Sequence, residues 1–256
     1  MRAIDRKMLR DLLHMWGQAL AICLVMASGV ATFVMSLSTL HSLQRTLDTY
    51  YERYRFAEVF THVTRAPNRL LRQLETIPGV ARVQTRIVEA VSLDMPGLAE
   101  PAVGRLNSLP PHGRPALNDV YLRAGRYVEP GHRHEVLVSE AFAGAHGLVP
   151  GSEVTAILNG RLEQLRVAGI ALSPEFIYQI RDGDIVPDDL RYGVFWMNER
   201  ALEAAFDMEG AFNDVSLTLM HGASEEEVIA RLDDLTREYG SLGAHGREDH
   251  SSHEFV

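Results

Sequence analysis

The sequence runs to 256 residues, 46% hydrophobic and 23% charged, with a formal net charge of −9, the makeup of a folded chain rather than a disordered one. An acidic chain repels a phosphate backbone, and no concentrated basic patch offsets this, so nucleic acid is excluded as a partner. The one cysteine, Cys23, excludes a disulfide framework and a cysteine-based metal site.

Residues 1–14 hold Arg2, Arg6, Lys7 and Arg10 against Asp5 and Asp11, a net +2 that leaves −11 for the rest. From Leu12 to Gln44 no residue is formally charged. The densest part, Trp16 to Leu37, is 22 residues. As a helix it covers roughly 33 Å, enough for a hydrocarbon core of about 30 Å. Ala27-Ser28-Gly29 and Gly29-Val30-Ala31 imitate a signal-peptide cleavage site, but the apolar run continues through Thr32, Phe33, Val34 and Met35, which favours an uncleaved span over a signal or a soluble core helix. The basic flank then places residues 1–14 in the cytoplasm and the chain beyond about residue 40 outside it.

Within the span, taken as 15–37, Gly17 and Ala21, Ala27 and Ala31, and Ser28 and Thr32 stand four apart, spacing that lets another helix approach closely. The helical pattern does not stop at the membrane. Leu40, Leu43, Leu47, Tyr51 and Tyr54 recur at three- and four-residue spacing, with no Gly or Pro before Pro67, so residues 38–54 read as a stalk continuing the same helix.

FAEVFTHVT (56–64) alternates like a strand; a short helix with Leu70, Leu71 and Leu74 on its apolar face follows Pro67, and Pro78-Gly79 ends it before VARVQTRIV. A second unit of this kind begins at DVSLTLM (214–220), where Ser224 and Glu227 form a capping box for a helix with Val228, Leu232 and Leu235 inward and Gly240 at its end. The expectation is α+β: two β-α-β halves, 55–93 and 212–250, of one extracytoplasmic domain, with a β-rich subdomain, 94–211, inserted between them. Prolines 96, 101, 110, 111 and 115 give that insert a loop-rich start. EVLVS (135–139) reads as a strand, EAFAGAH as a helix capped by Ser139, and VTAILNGRLEQLRVAGI (154–170) as two strands joined by a type I′ turn at Asn159-Gly160. YGVFWM (192–197) is a further strand leading into a helix at Asn198–Phe206.

Catalytic patterns are missing. A phosphate-binding loop needs Lys-Ser or Lys-Thr after a glycine-rich turn, and the only lysine is Lys7; there is neither a G-x-S-x-G elbow nor an H-E-x-x-H helix. His132 and His134 lie in a Pro-Gly turn, and His245, His250 and His253 in a polar C-terminal stretch where no third ligand is fixed by spacing, so an exposed tail is expected rather than a metal site. RDGDIVPDD (181–189), with Asp182, Asp184, Asp188 and Asp189, lacks EF-hand spacing and reads as a solvated turn. No catalytic residue, metal or cofactor is assigned, and no substrate-binding residue is identifiable.

The order of these features resembles an ABC-transporter permease of the MacB/LolC/FtsX type. The stretches that carry it are FAEVFTHVTRAPNRLLRQLETIPGV, ALNDVYLRAGRYVEPGHRHEVLVSEAFAGAHGLVPGSEV and ILNGRLEQLRVAGIALSPEFIYQIRDGDIVPDDLRYGVFWM, similar to a MacB-like periplasmic core domain. The resemblance implies a non-catalytic subunit in the inner (cytoplasmic) membrane, mechanotransmission from a separate cytoplasmic ABC ATPase through span and stalk, and further permease spans or a second permease as partners in the lipid bilayer. Such permeases return to the membrane through an FtsX-like bundle, whereas this sequence ends at Val256 without another apolar run, so an N-terminal fragment is expected. The alternative is a single-pass, membrane-anchored extracytoplasmic binding or sensory module.

Overall fold

The computed structural model describes residues 15–181 and 186–250; the expected cytoplasmic segment 1–14, Asp182, Asp184 and His253 lie outside the described residues. The chain forms two units, one up to Tyr50 and one from Tyr51 onward. The fold class is α+β, an N-terminal apolar helix followed by a β-rich body.

Helix α1, Trp16–Tyr54, is continuous over 39 residues, roughly 58 Å of helix. Nothing in its most apolar stretch is buried, and Ile22, Val25, Val30, Phe33 and Met35 are all exposed. Five of its hydroxyls bond back within the helix, among them Ser28, which donates to the Val25 carbonyl at 2.8 Å, Thr32 to Ser28 at 2.9 Å and Thr39 to Met35 at 2.9 Å. An apolar surface with internally bonded polar groups suits a solvent that offers no hydrogen bonds.

The body contains two sheets. In the first, β1 (Val59–Pro67) is followed by a 3₁₀ turn and the short α2 (Leu71–Leu74), then β2 (Val80–Arg86); β10 (Ala211–Leu219) is followed by α5 (Glu225–Thr236) and the two-residue β11 (His245–Gly246). The strand order is β11-β1-β10-β2, antiparallel throughout. Each half therefore sends its second strand to pair with the first strand of the other. Both helices pack on one face, where Leu70, Leu74, Val228 and Leu232 meet Val59, Val63, Val215 and Leu217. Full burial of such side chains stabilises by about 1.5–3 kcal/mol each. Ser224 caps α5 by accepting from the Glu227 amide at 3.3 Å and donates its hydroxyl to Glu226 at 3.4 Å, so the cap forms without the reciprocal Glu227 bond of the expected capping box.

The second sheet comprises β3 (Val88–Asp94), β4 (Ala102–Leu109), β5 (Tyr121–Gly125), β6 (Glu135–Ser139), β7 (Glu153–Leu158), β8 (Arg161–Leu172) and β9 (Tyr192–Asn198), with α3 (Glu140–His146) after β6 and α4 (Glu199–Ala205) after β9. Its order is β5-β8-β6-β9-β4-β3-β7, and β7 pairs back onto β8, so six strands close into a ring with β5 outside it. Inside lie Leu106, Val136, Val138, Phe142, Leu165 and Phe195, all buried. Asn159 and Gly160 have φ of 46° and 78°, the pair of positive values that a type I′ turn requires.

Two expectations need correction. The stretch VARVQTRIV is not one strand: at the fully buried Ile87 the chain leaves the first sheet, and Val88–Asp94 joins the ring through β4 and β7. The first half-domain thus ends near Arg86 rather than at 93, and the insert begins at 88 rather than 94. The proline-punctuated start of the insert also holds β4, a central strand between β3 and β9, bracketed by Pro101 and Pro110 outside the ladder where a missing N–H costs nothing.

Candidate functional site at the root of the long helix

The last turn of α1 belongs to the folded body. Tyr51 and Tyr54 are 7% and 8% exposed, against 55% and 57% for Leu40 and Leu43. The face expected for the stalk is therefore divided: Leu40 and Leu43 are exposed on α1, Leu47 is partly exposed, and the two tyrosines are core. Gly17, Ala21, Ala27 and Ala31 are exposed along α1, and a Cβ at Gly17 would meet nothing.

The helix ends in a Schellman motif without the usual glycine. The Phe56 amide donates to the Tyr51 carbonyl at 2.9 Å and the Arg55 amide to Glu52 at 3.2 Å, with Arg55 left-handed at φ 52°. The accompanying ring contact, Tyr51 to Phe56, has centroids 5.0 Å apart. A left-handed conformation costs a non-glycine residue roughly 1–2 kcal/mol. Its side chain supplies the compensation: the Arg55 guanidinium donates to the Pro115 carbonyl at 2.9 Å and to Asp119 Oδ2 at 3.1 Å.

The loop before β5 then takes up the carbonyls that a helix end leaves open. The Asp119 amide donates to Tyr54 at 2.8 Å and the Asn118 amide to Arg55 at 2.9 Å. Asn118, itself left-handed at φ 52°, accepts from the Ala57 amide at 2.8 Å and donates to Ser216 Oγ of β10 at 3.2 Å. From the C-terminal side, Arg247 donates Nε to the Ala57 carbonyl at 2.9 Å and Nη2 to Phe56 at 2.7 Å, its guanidinium lying 5.3 Å from the Tyr51 ring centre and 4.9 Å from that of Phe56. The carbonyls of Tyr51, Glu52, Tyr54, Arg55, Phe56 and Ala57 are all engaged, by groups from three separate parts of the chain.

A second polar cluster holds the two sheets together. Arg86, at the end of β2, donates Nη1 and Nη2 to the two oxygens of Glu175 at 2.6 and 2.7 Å, and Nε to Asp214 Oδ1 of β10 at 2.8 Å. Glu175 lies in the 3₁₀ turn after β8, so the contact runs from ring to sheet. All three side chains are buried, at 5%, 2% and 8% exposure. Burial opposes the Arg86 charge, but Asp214 and Glu175 outweigh it and raise the guanidinium; burial pushes the Glu175 carboxyl up, and Arg86 more than reverses this and leaves it below its ordinary value. Asn213, next to Asp214, adds neutral bonds across the same seam, accepting from the Val88 amide at 2.8 Å and donating to its carbonyl at 2.9 Å.

His250 is not an exposed tail residue. Its ring lies 4.7 Å from that of Phe60 and 5.9 Å from that of Phe56. Burial pushes the imidazole down to about 4; Glu175 opposes that shift, while His245, Arg105 and Arg86 add to it. His132 and His134 are exposed beside Glu129 and Glu163. Among the described residues no group of three metal-ligating side chains converges. In the acidic loop Asp188 accepts from the amides of Leu190 and Arg191, both at 3.2 Å, as a turn residue does.

Sequence reasoning missed Arg55, Asn118, Asp119 and Arg247. Asn118-Asp119 carried a local signal as a pair of turn formers, but nothing near Arg247 indicates a partner 190 positions earlier.

The chain matches no protein-family model and no curated protein. It is similar to three solved domains of transporter and permease proteins. The extracellular domain of the ABC-type transporter YknZ from Gram-positive bacteria is 13% identical with a TM-score of 0.41, over 74% of this chain and 98% of that one. The periplasmic region of MacB from Actinobacillus actinomycetemcomitans is 9% identical with a TM-score of 0.44, over 78% and 94%. A domain of a permease protein from Porphyromonas gingivalis is 14% identical with a TM-score of 0.38, over 77% and 87%.

Proposed function

We propose that this chain is the first span and extracytoplasmic domain of an ABC-type transporter permease, anchored in the cytoplasmic membrane with its N-terminus inside. In this reading it has no catalytic centre. A separate ATPase moves the membrane helices, α1 carries that movement outward, and the two-sheet body handles the substrate or partner. Residues 15–37 form the span, with Gly17, Ala21, Ala27 and Ala31 packing against neighbouring spans, and 38–54 form the stalk.

The observation that carries the reading is the root of α1. A membrane anchor needs only a linker before its domain, and a flexible one dissipates movement. Here six successive or near-successive carbonyls accept from the loop before β5, from Arg247 and from the amides of Arg55 and Phe56, so displacement of the last helical turn is passed to both sheets. Rigid elements with packed, hydrogen-bonded ends are the kind of structure that carries coupling between distant sites.

The test is purification of the tagged chain, expressed from its own locus, in mild detergent. The expected result is recovery of an ABC ATPase and additional permease spans in fixed stoichiometry, with ATP hydrolysis that changes on replacing Asn118 or Arg247 by Ala. A homogeneous single-span species with no ATPase in the preparation overturns the reading.

A further inference from the structure

The segment from His245 to His250 touches the body in a restricted way. It adds to the sheet only through the two-residue β11, paired Val59 to Gly246 and Phe60 to His245. Its other contacts fall on the root of α1, the start of β1 and the start of α5: Arg247 on the carbonyls of Phe56 and Ala57 and over the rings of Tyr51 and Phe56, the His250 ring against Phe56 and Phe60, the His245 ring stacked on Phe60, and Gly246 against the Glu225 carboxylate. The remaining strands β1, β10 and β2 pair with each other without it. Two backbone pairs at a sheet edge are a weak hold, so the segment can lift away while the rest of the sheet stays formed.

We propose that residues 245–250 are a releasable strap over the root of α1, in which Arg247 grips the backbone and His250 is an acid-sensitive latch. Among the described residues, the groups facing the imidazole include Glu175 from the turn after β8, Arg86 from β2, Arg105 from β4 and His245 from the strap itself, with Phe56 and Phe60 as the apolar wall. Glu175 is already held by both outer nitrogens of Arg86. A proton on His250 therefore adds a cation to a half-enclosed site that already holds two arginines, and Glu175, shared with Arg86, offsets it only in part. The charged ring is better solvated with the strap released.

The sign follows from the shift. Held in place, the imidazole titrates at about 4; released, it returns to its ordinary 6.5. The strap is fully held above the released value, and its hold weakens as pH falls from there toward the held value. Linkage between these two values makes release about 20-fold more favourable at pH 5 than at pH 7. Freeing Arg247 along with His250 removes two of the bonds to the carbonyls of Phe56 and Ala57, so acid loosens the Tyr51–Ala57 segment without unfolding the rest of the body.

Hydrogen exchange of the full chain in detergent micelles, at pH 7 and pH 5 and corrected for intrinsic rates, tests this. Amides of 245–250 are expected to lose protection by about 20-fold at pH 5, and those of Phe56 and Ala57 to follow, while β10 keeps its protection. His250→Phe, which keeps an aromatic ring but takes no proton, is expected to hold the strap equally at both values; Arg247→Ala is expected to loosen it already at pH 7. No change in the wild type, the same change in His250→Phe, or equal loss of protection in β10 overturns the proposal.

Discussion

Arg86 and Asp214 stand opposite each other at the end of the β2–β10 ladder, and the arginine turns its two outer nitrogens to Glu175 from the other sheet. One guanidinium thus joins the strand pairing of one sheet to the turn that leaves the other. Removal of a single partner from such a buried cluster strands a charge without water and typically costs about 3–5 kcal/mol, far more than loss of an exposed pair. Arg86→Leu, which leaves two carboxylates facing each other, is expected to lower the urea midpoint more than Arg237→Leu, whose partner Asp234 is exposed. Equal midpoints for the two variants would show that the seam is held by packing instead.

The same cluster fixes an acid limit. Glu175 is held below its ordinary carboxyl value by Arg86, so its contribution is complete above the unfolded value near 4.5 and is lost as pH falls through the lower folded one. Unfolding free energy is expected to fall below about pH 4.5, and Glu175→Gln to flatten that part of the profile while lowering stability at pH 7. A profile of unchanged slope in Glu175→Gln would assign the acid limit to other groups.

Asn118 bonds the Ala57 amide and Ser216 with one side chain. Asn118→Ala orphans both and imposes a left-handed φ on alanine, so a loss of about 2–3 kcal/mol is expected, with hydrogen exchange at residues 54–58 rising first. Exchange rising uniformly across the body would argue against a local joint.

Two glycines separate strain from collision. Gly160 and Gly125 both have φ of 78°, but a Cβ at Gly160 meets open space, whereas one at Gly125 falls 2.4 Å from the Ala168 carbonyl oxygen. Gly160→Ala is expected to cost roughly 1 kcal/mol from backbone strain alone, and Gly125→Ala several times that, because β5 must move off β8. Thermal midpoints of the two variants decide it; similar values would mean that the β5 edge yields easily.

Cys23 reports on the span directly, being the only thiol and lying in the apolar part of α1. In sealed vesicles it is expected to resist a membrane-impermeant maleimide from either side and to react fully in denaturing detergent. Ready labelling in intact vesicles would place this stretch outside the bilayer.

Elements whose reasons are local could be read from the amino acids. The apolar run from Trp16 to Leu37 with the helical spacing from Leu40 to Tyr54, the Asn159-Gly160 turn and the Ser224 cap each depend on neighbours in sequence, and each forms. What sequence did not reveal depends on distant partners. β4 alternates poorly because Gly104 must clear Leu93, where a Cβ would come within 3.0 Å, and because Asn107 is fully buried to donate to the Phe195 carbonyl. Ile87 continues the apolar rhythm of β2, so nothing in its own surroundings marks the change of sheet. The joint at the root of α1 was hidden for the same reason: Arg55, Asn118 and Arg247 look like ordinary surface residues until the fold brings them within bonding distance.

The exchange of strands between the two halves also sets a timetable. Val59 pairs with Leu217, 158 positions later, while every strand of the ring finds its neighbours between Val88 and Asn198. At typical synthesis rates of about 5–20 residues per second, β1 waits roughly 8–30 s after leaving the ribosome before β10 is available, with Val59 and Val63 uncovered. The ring can close during that interval. Assembly therefore proceeds from the inserted subdomain outward, and the strand made first is among the last to gain its partners.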